Sequence, residues 1–102
     1  MFVLVSAEGD GVGAAVQDPQ NLRQLHVEFQ KVGDAEADQA LHRAGLGAVA
    51  GDHVWLEPSA LRAAGNGSAD WNAQFDAMLR YAASKGWTDE ESARVRAHIV
   101  RT

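Results

Sequence analysis

The stretch Phe2-Val3-Leu4-Val5-Ser6-Ala7-Glu8-Gly9-Asp10-Gly11-Val12-Gly13-Ala14-Ala15-Val16 supports two incompatible readings. An apolar run leads into Gly9, Gly11 and Ala14 in the register G-x-G-x-x-G/A, and Glu28 follows Gly9 by nineteen positions. Dinucleotide-binding turns have that spacing, with an acidic residue about twenty positions on to hold a ribose hydroxyl. In the other reading Gly9-Asp10-Gly11 is a tight turn between strands, since Asp-Gly after a β-rich segment is a strong turn signal. Pro19 separates the two. The nucleotide reading needs a helix that starts near Gly11, points its first N–H groups at the pyrophosphate and continues for about three turns. Pro19 interrupts such a helix, because it removes a helical hydrogen bond and biases Asp18 toward extended backbone. A chain of 102 residues also has no room for two mononucleotide-binding halves. The plain turn is therefore adopted, and neither a nucleotide nor any other cofactor is expected.

Working outward, residues 2–7 read as a strand. Asp18-Pro19 has the form of a helix N-cap followed by a first-turn proline, which predicts a short helical turn over 19–24. Leu22, Leu25, Phe29 and Val32 then have helical spacing, whereas Leu25, Val27 and Phe29 alternate with His26, Glu28 and Gln30 as in a half-buried strand. The strand over 25–31 is preferred. Asp34 is read as the cap of a helix over 35–44 with Ala37, Ala40, Leu41 and Ala44 inward, His42 and Arg43 in its last turn, and Gly45 as its stop. The glycine-rich segment 45–51 reads as a loop, 53–57 as a strand, and Pro58-Ser59 as the start of a short helix ending at Gly65. Ser68 caps the best-specified element, a helix over 69–85. Trp71, Phe75, Met78, Leu79 and Ala82 fall on one stripe of it, and Gly86 follows it. After the polar segment 88–93, Val95, Ala97 and Ile99 alternate with Arg96 and His98. A strand over 94–100 is preferred to the terminal helix that Thr88 and Glu91 would cap. This order predicts an α+β fold, a small mostly antiparallel sheet with helices packed on one face, in a single domain over residues 1–102.

The composition is that of a globular chain, with 46% hydrophobic and 23% charged residues. There is no cysteine, which removes disulfides, thiolate metal sites and thiol nucleophiles. Phe2 to Val5 is too short and lacks the basic flank of a signal peptide, and no run is long enough to span a bilayer. The expectation is a cytoplasmic protein without membrane contact. Charge is uneven: nine acidic residues face three basic ones through Glu57, and six basic residues face five acidic ones from Pro58 onward. An acidic first half repels phosphate backbones, so a nucleic-acid partner is not expected.

The signatures of chemistry are sparse. His26, His42, His53 and His98 form no H-E-x-x-H and no helical i, i+4 pair, so no metal is expected. No serine lies in a G-x-S-x-G elbow, and no catalytic residue is assigned. One surface stands out. Period-two alternation puts His53, Trp55 and Glu57 opposite the apolar Val54 and Leu56, His26 and Glu28 opposite Val27 and Phe29, and Arg96 and His98 opposite Val95, Ala97 and Ile99. If these strands are neighbours, His26, Glu28, His53, Trp55, Glu57, Arg96 and His98 share one face of the sheet. They are the candidate ligand- or partner-binding residues, with a solvated face of cross-strand charge pairs as the alternative.

From residue 35 onward the order helix, strand, short helix, long helix and two extended pieces resembles a winged helix. The helix over 69–85 would take the recognition position and the tip over 88–93 would be the wing. The resemblance implies a nucleic-acid-binding or regulatory module for residues 35–102. Asp70 and Asp76 on the long helix and Asp89, Glu90 and Glu91 at the tip oppose phosphate contact. The functional expectation is a small non-catalytic binding domain whose partner is a protein, a small molecule or a second copy of itself in a homodimer. The winged-helix module stands second and a His/Glu enzyme on the sheet face third.

Overall fold

The computed structural model describes residues 1–89 and 94–102. In chain order the elements are β1 (Phe2–Glu8), β2 (Gly11–Gln17), β3 (His26–Gln30), α1 (Asp34–Ala44), β4 (Gly47–Ala50), β5 (His53–Leu56), α2 (Pro58–Ala63), α3 (Ala69–Ser84) and β6 (Val95–Arg101). All six strands join one sheet in the order β2-β1-β3-β6-β5-β4. The pairs β1–β2, β4–β5 and β5–β6 are antiparallel, while β1–β3 and β3–β6 are parallel. The expected α+β class with a mostly antiparallel sheet is the fold.

The opening stretch is a β-hairpin. Glu8 pairs with Gly11 across the two-residue turn Gly9-Asp10, and Gly9 has φ +57°, at the position where a type II′ turn takes glycine. Residues 11–17, which the sequence reading left without an element, form β2. The helical turn expected over 19–24 is absent. Asp18 lies in the left-handed region at φ +49° instead of capping a helix, and residues 19–20 and 22–23 form turns. This segment is tied to α3, whose Trp71 indole N–H donates to the Pro19 carbonyl at 2.8 Å.

Two further corrections concern α1. Its N-cap is Gly33 and not Asp34, and the Glu36 carboxylate accepts from the Gly33 N–H at 3.4 Å. The segment 45–51 is not all loop, because β4 pairs with β5 from Gly47↔Leu56 to Ala50↔His53. Between α1 and β4, Gly45 at φ +70° ends the helix: its N–H donates to the His42 carbonyl and the Leu46 N–H to the Leu41 carbonyl, the Schellman pattern. The best-specified helix matches its reading, with Ser68 Oγ accepting from the Trp71 N–H at 3.0 Å and Gly86 at φ +77° beyond its end.

The sheet is curled around α1. Six strands at about 4.8 Å spacing would set the outer strands about 24 Å apart in a flat sheet, twice the width of a helix. Yet α1 packs on both edge strands, β2 and β4, as well as on β1. Its polar side chains also serve those edges. Arg43 Nη2 donates to the Val12 carbonyl at 2.8 Å, and Asp38 Oδ1 accepts from the Val49 N–H at 2.9 Å. One backbone group that would otherwise invite another strand is thereby occupied at each edge, the Val12 carbonyl on β2 and the Val49 N–H on β4.

The core lies on the α1 side. Val3, Val5, Val27, Phe29, Val54, Leu56, Val95 and Ala97 are buried from the sheet, and Ala37, Ala40, Leu41, Leu61, Trp71, Phe75 and Ala82 from the helices. Every fully buried strand residue among those described points to this side, so the helices occupy one face as expected. The winged-helix alternative for 35–102 does not describe a separate unit. Thr88 does bridge to Val95, but β6 is also paired in parallel with β3, which ties the segment into the N-terminal half of the sheet. The wing tip at Glu90 and Glu91 lies outside the described residues.

Candidate functional site

The other face of the sheet carries no helix, and period two decides what it displays. Register aligns Phe2 with His26, His26 with His98, and His98 with His53, so one row crosses β1, β3, β6 and β5. A second row sets Leu4 beside Glu28 and Val100, and a third sets Arg96 beside Trp55 and Ala48. Three imidazoles thus stand on neighbouring strands. The Phe2 and His26 rings stack at 5.1 Å between centroids, His26 stacks on His98 at 5.7 Å, and His53 meets Trp55 edge-on at 5.5 Å.

Each of two imidazoles has a carboxylate. His26 Nε2 donates to Glu28 Oε1 at 3.0 Å, and His53 Nδ1 donates to Asp52 Oδ1 at 3.2 Å. An ionised carboxylate only accepts, so these bonds place a proton on His26 Nε2 and on His53 Nδ1. The His53 bond holds the Asp52 carboxyl below its ordinary value, with a smaller contribution from the Arg96 charge. Asp52 comes from the two-residue turn Gly51-Asp52 of the β4–β5 hairpin, where Gly51 takes φ +69°. Its side chain is fully solvated while that of His53 is mostly covered.

Of the seven sequence-derived candidates, His26, Glu28, His53, Trp55, Arg96 and His98 are set on this face by strand register. Glu57 stands apart. It is the N-cap of α2, and it lines a separate depression of about 210 Å³ with His42, Ala48 and Arg94.

Sequence reasoning missed Trp87, Leu25 and Asp52. Together with His53, Arg96 and His98 they line a cleft of about 370 Å³. Trp87 arrives there because β3 starts at His26 and leaves the first residues of β6 without a partner on that side. Residues 87–89 fill the gap: the Arg96 N–H donates to the Trp87 carbonyl at 2.7 Å and the Asp89 N–H to the Arg94 carbonyl at 2.8 Å. Trp87 is 38% exposed and touches Tyr81, itself 58% exposed, at 6.0 Å between rings. These are the two exposed large hydrophobic residues among those described. The only sequence signal for Trp87 was its position one residue past the helix-ending Gly86.

Chemically, the cleft lining offers an indole, a leucine, a guanidinium and two imidazoles. Those groups can stack on a ring, donate hydrogen bonds to an anion and exchange protons. Among the described residues no cluster of three or more His, Asp or Glu side chains is arranged to hold a metal ion. No helix of the described residues is long and apolar enough to cross a membrane. No protein-family model, curated protein or solved structure matches the chain.

Proposed function

We propose that the protein is a non-catalytic binding domain that engages its partner through the helix-free face of the sheet. The observation that carries this reading is the row of His26, His98 and His53 across adjacent strands, bordered by Trp55 and by the cleft under Trp87. Ordinary solvated sheet faces are covered with flexible charged side chains. This one instead carries rings held in place by stacking and by carboxylates, which reduces the entropy lost when a partner seats on them. Exposed aromatic residues beside a concave patch are also the usual anchors of recognition surfaces.

The fold supports use of the face over use of the edges. Both edge strands have backbone groups bonded to α1 side chains, so strand addition at β2 or β4 has to displace Arg43 or Asp38. Partners of the face, whether a small molecule, another protein or a second copy, meet side chains and not free backbone.

The test is to label the chain with ¹⁵N, titrate it with a chemically varied set of small fragments, and follow its association state by sedimentation. Shifts or a dimer contact centred on His26, His53, Trp55, Trp87, Arg96 and His98 support the reading. Shifts centred on the outer sides of α1 and α3, or no response at the face to any fragment or concentration, contradict it.

A further inference from the structure

The cleft under Trp87 combines three features that select among small ligands. Its lining includes two apolar side chains, the Trp87 indole and Leu25. The same lining carries the donors Arg96 and His98, together with His53, whose Nδ1 proton is already given to Asp52. Arg96 takes part in no ion pair among the described residues, so its guanidinium has donors to offer a ligand. The one acid of the lining, Asp52, has a fully solvated side chain and is already bonded to His53 Nδ1. The Arg96 guanidinium is then the fixed charge left to the cleft, within a chain whose net charge is −5.

We infer, resting on the binding reading above, that this cleft takes a small planar aromatic carboxylate. Its ring lies against Trp87 and Leu25, and its carboxylate is held by Arg96 with help from the His98 imidazole. A planar guanidinium matches a carboxylate through two parallel N–H donors, which a point charge does not. The ring adds stacking on an indole that is already partly exposed, so little rearrangement is needed. Volume sets the scale: about 370 Å³ is near the lower end of ligand pockets, which suits one or two fused rings and not a dinucleotide.

Three probes separate the contributions in the full chain: 2-naphthoate carries ring and charge, 2-naphthamide the ring alone, and acetate the charge alone. Amide shifts of His53, Arg96 and His98 and the indole N–H of Trp87 report occupancy. The expected result is 2-naphthoate binding at least tenfold tighter than either of the other two. Arg96→Gln should abolish that preference, leaving 2-naphthamide unchanged, while Trp87→Ala should weaken both ring probes at least tenfold. An unchanged ¹⁵N spectrum away from the cleft certifies the fold of each variant. Equal affinity for 2-naphthoate and 2-naphthamide, or 2-naphthoate shifts outside the cleft, overturns the inference. If 2-naphthoate leaves the cleft unmoved while other fragments perturb the face, this inference fails and the binding reading stands. Should nothing perturb the face, both fail.

Discussion

Phe75 is a fully buried aromatic of α3. One ring face stacks on Trp71 at 5.0 Å and 11°, and the Arg62 guanidinium lies 4.9 Å from the ring centroid. Truncation to alanine removes a buried aromatic, which costs about 3–5 kcal/mol. Because both ring faces are covered, the stacking contribution of about 0.5–1.5 kcal/mol is lost as well, and the upper part of that range, about 4–5 kcal/mol, is expected. A domain of this length has a total stability of about 5–15 kcal/mol, so Phe75→Ala leaves it close to unfolding. In urea, with a slope of about 1.5 kcal/mol per molar, the midpoint should fall by about 3 M. Circular dichroism at 222 nm against urea measures it directly. A loss below about 1 kcal/mol would mean that the Trp71–Phe75–Arg62 stack is not core, and the placement of α3 would have to be abandoned.

Other outcomes follow from single contacts. Arg101 holds the Asp34 carboxyl below its ordinary value of 3.8 through their hydrogen bond, so the stability this pair contributes is present above that pH. It is lost as the pH falls through the lowered folded value, and the difference in urea midpoint between the protein and Asp34→Asn should vanish in that acidic range; parallel pH profiles would refute the pair. Gly47→Ala places a Cβ 2.0 Å from the Trp55 carbonyl oxygen and 3.1 Å from Leu56 Cα, both backbone atoms, and should cost about 1–3 kcal/mol. Gly11→Ala meets nothing within 4 Å and should change stability by less than about 0.5 kcal/mol. Calorimetry with adenine and nicotinamide nucleotides should show no stoichiometric complex, because the glycine register of the first turn opens a hairpin and not a helix.

Strong periodicity made some elements legible. Valines, phenylalanine and isoleucine alternating with His, Glu and Arg identified β3 and β6, and the Ser68 cap with the Trp71 to Ala82 stripe identified α3. The composition of the open face came from the same alternation. Two strands escaped because their residues are small: Gly11, Gly13, Ala14 and Ala15 in β2, and Gly47, Ala48 and Ala50 in β4, carry little β-propensity of their own. They form strands because hairpin turns at Gly9 and Gly51 fold them onto β1 and β5. Asp18-Pro19 resembled a helix start, but the Trp71 indole claims the Pro19 carbonyl and the segment turns instead. Trp87 was illegible as a site residue because a backbone pairing with Arg96, a tertiary contact, carries it to the cleft. Insertion of β6 between β3 and β5 is likewise a long-range event that no local pattern encodes.

The central claim, that the helix-free face is for binding and not for stability, is tested most directly on Trp55. Its neighbours in the chain, Val54 and Leu56, are fully buried, while Trp55 itself is only half-buried on the opposite face, edge-on to His53. Trp55→Ala therefore removes side-chain surface from the helix-free face and opens little internal cavity. Urea unfolding of the variant should show a loss of no more than about 1.5 kcal/mol, well short of the 3–5 kcal/mol of a buried aromatic. In the same sample, fragment binding at the face or self-association by sedimentation should be clearly weakened. A loss of 3 kcal/mol or more with binding and association unchanged would move Trp55 into the core and contradict the claim.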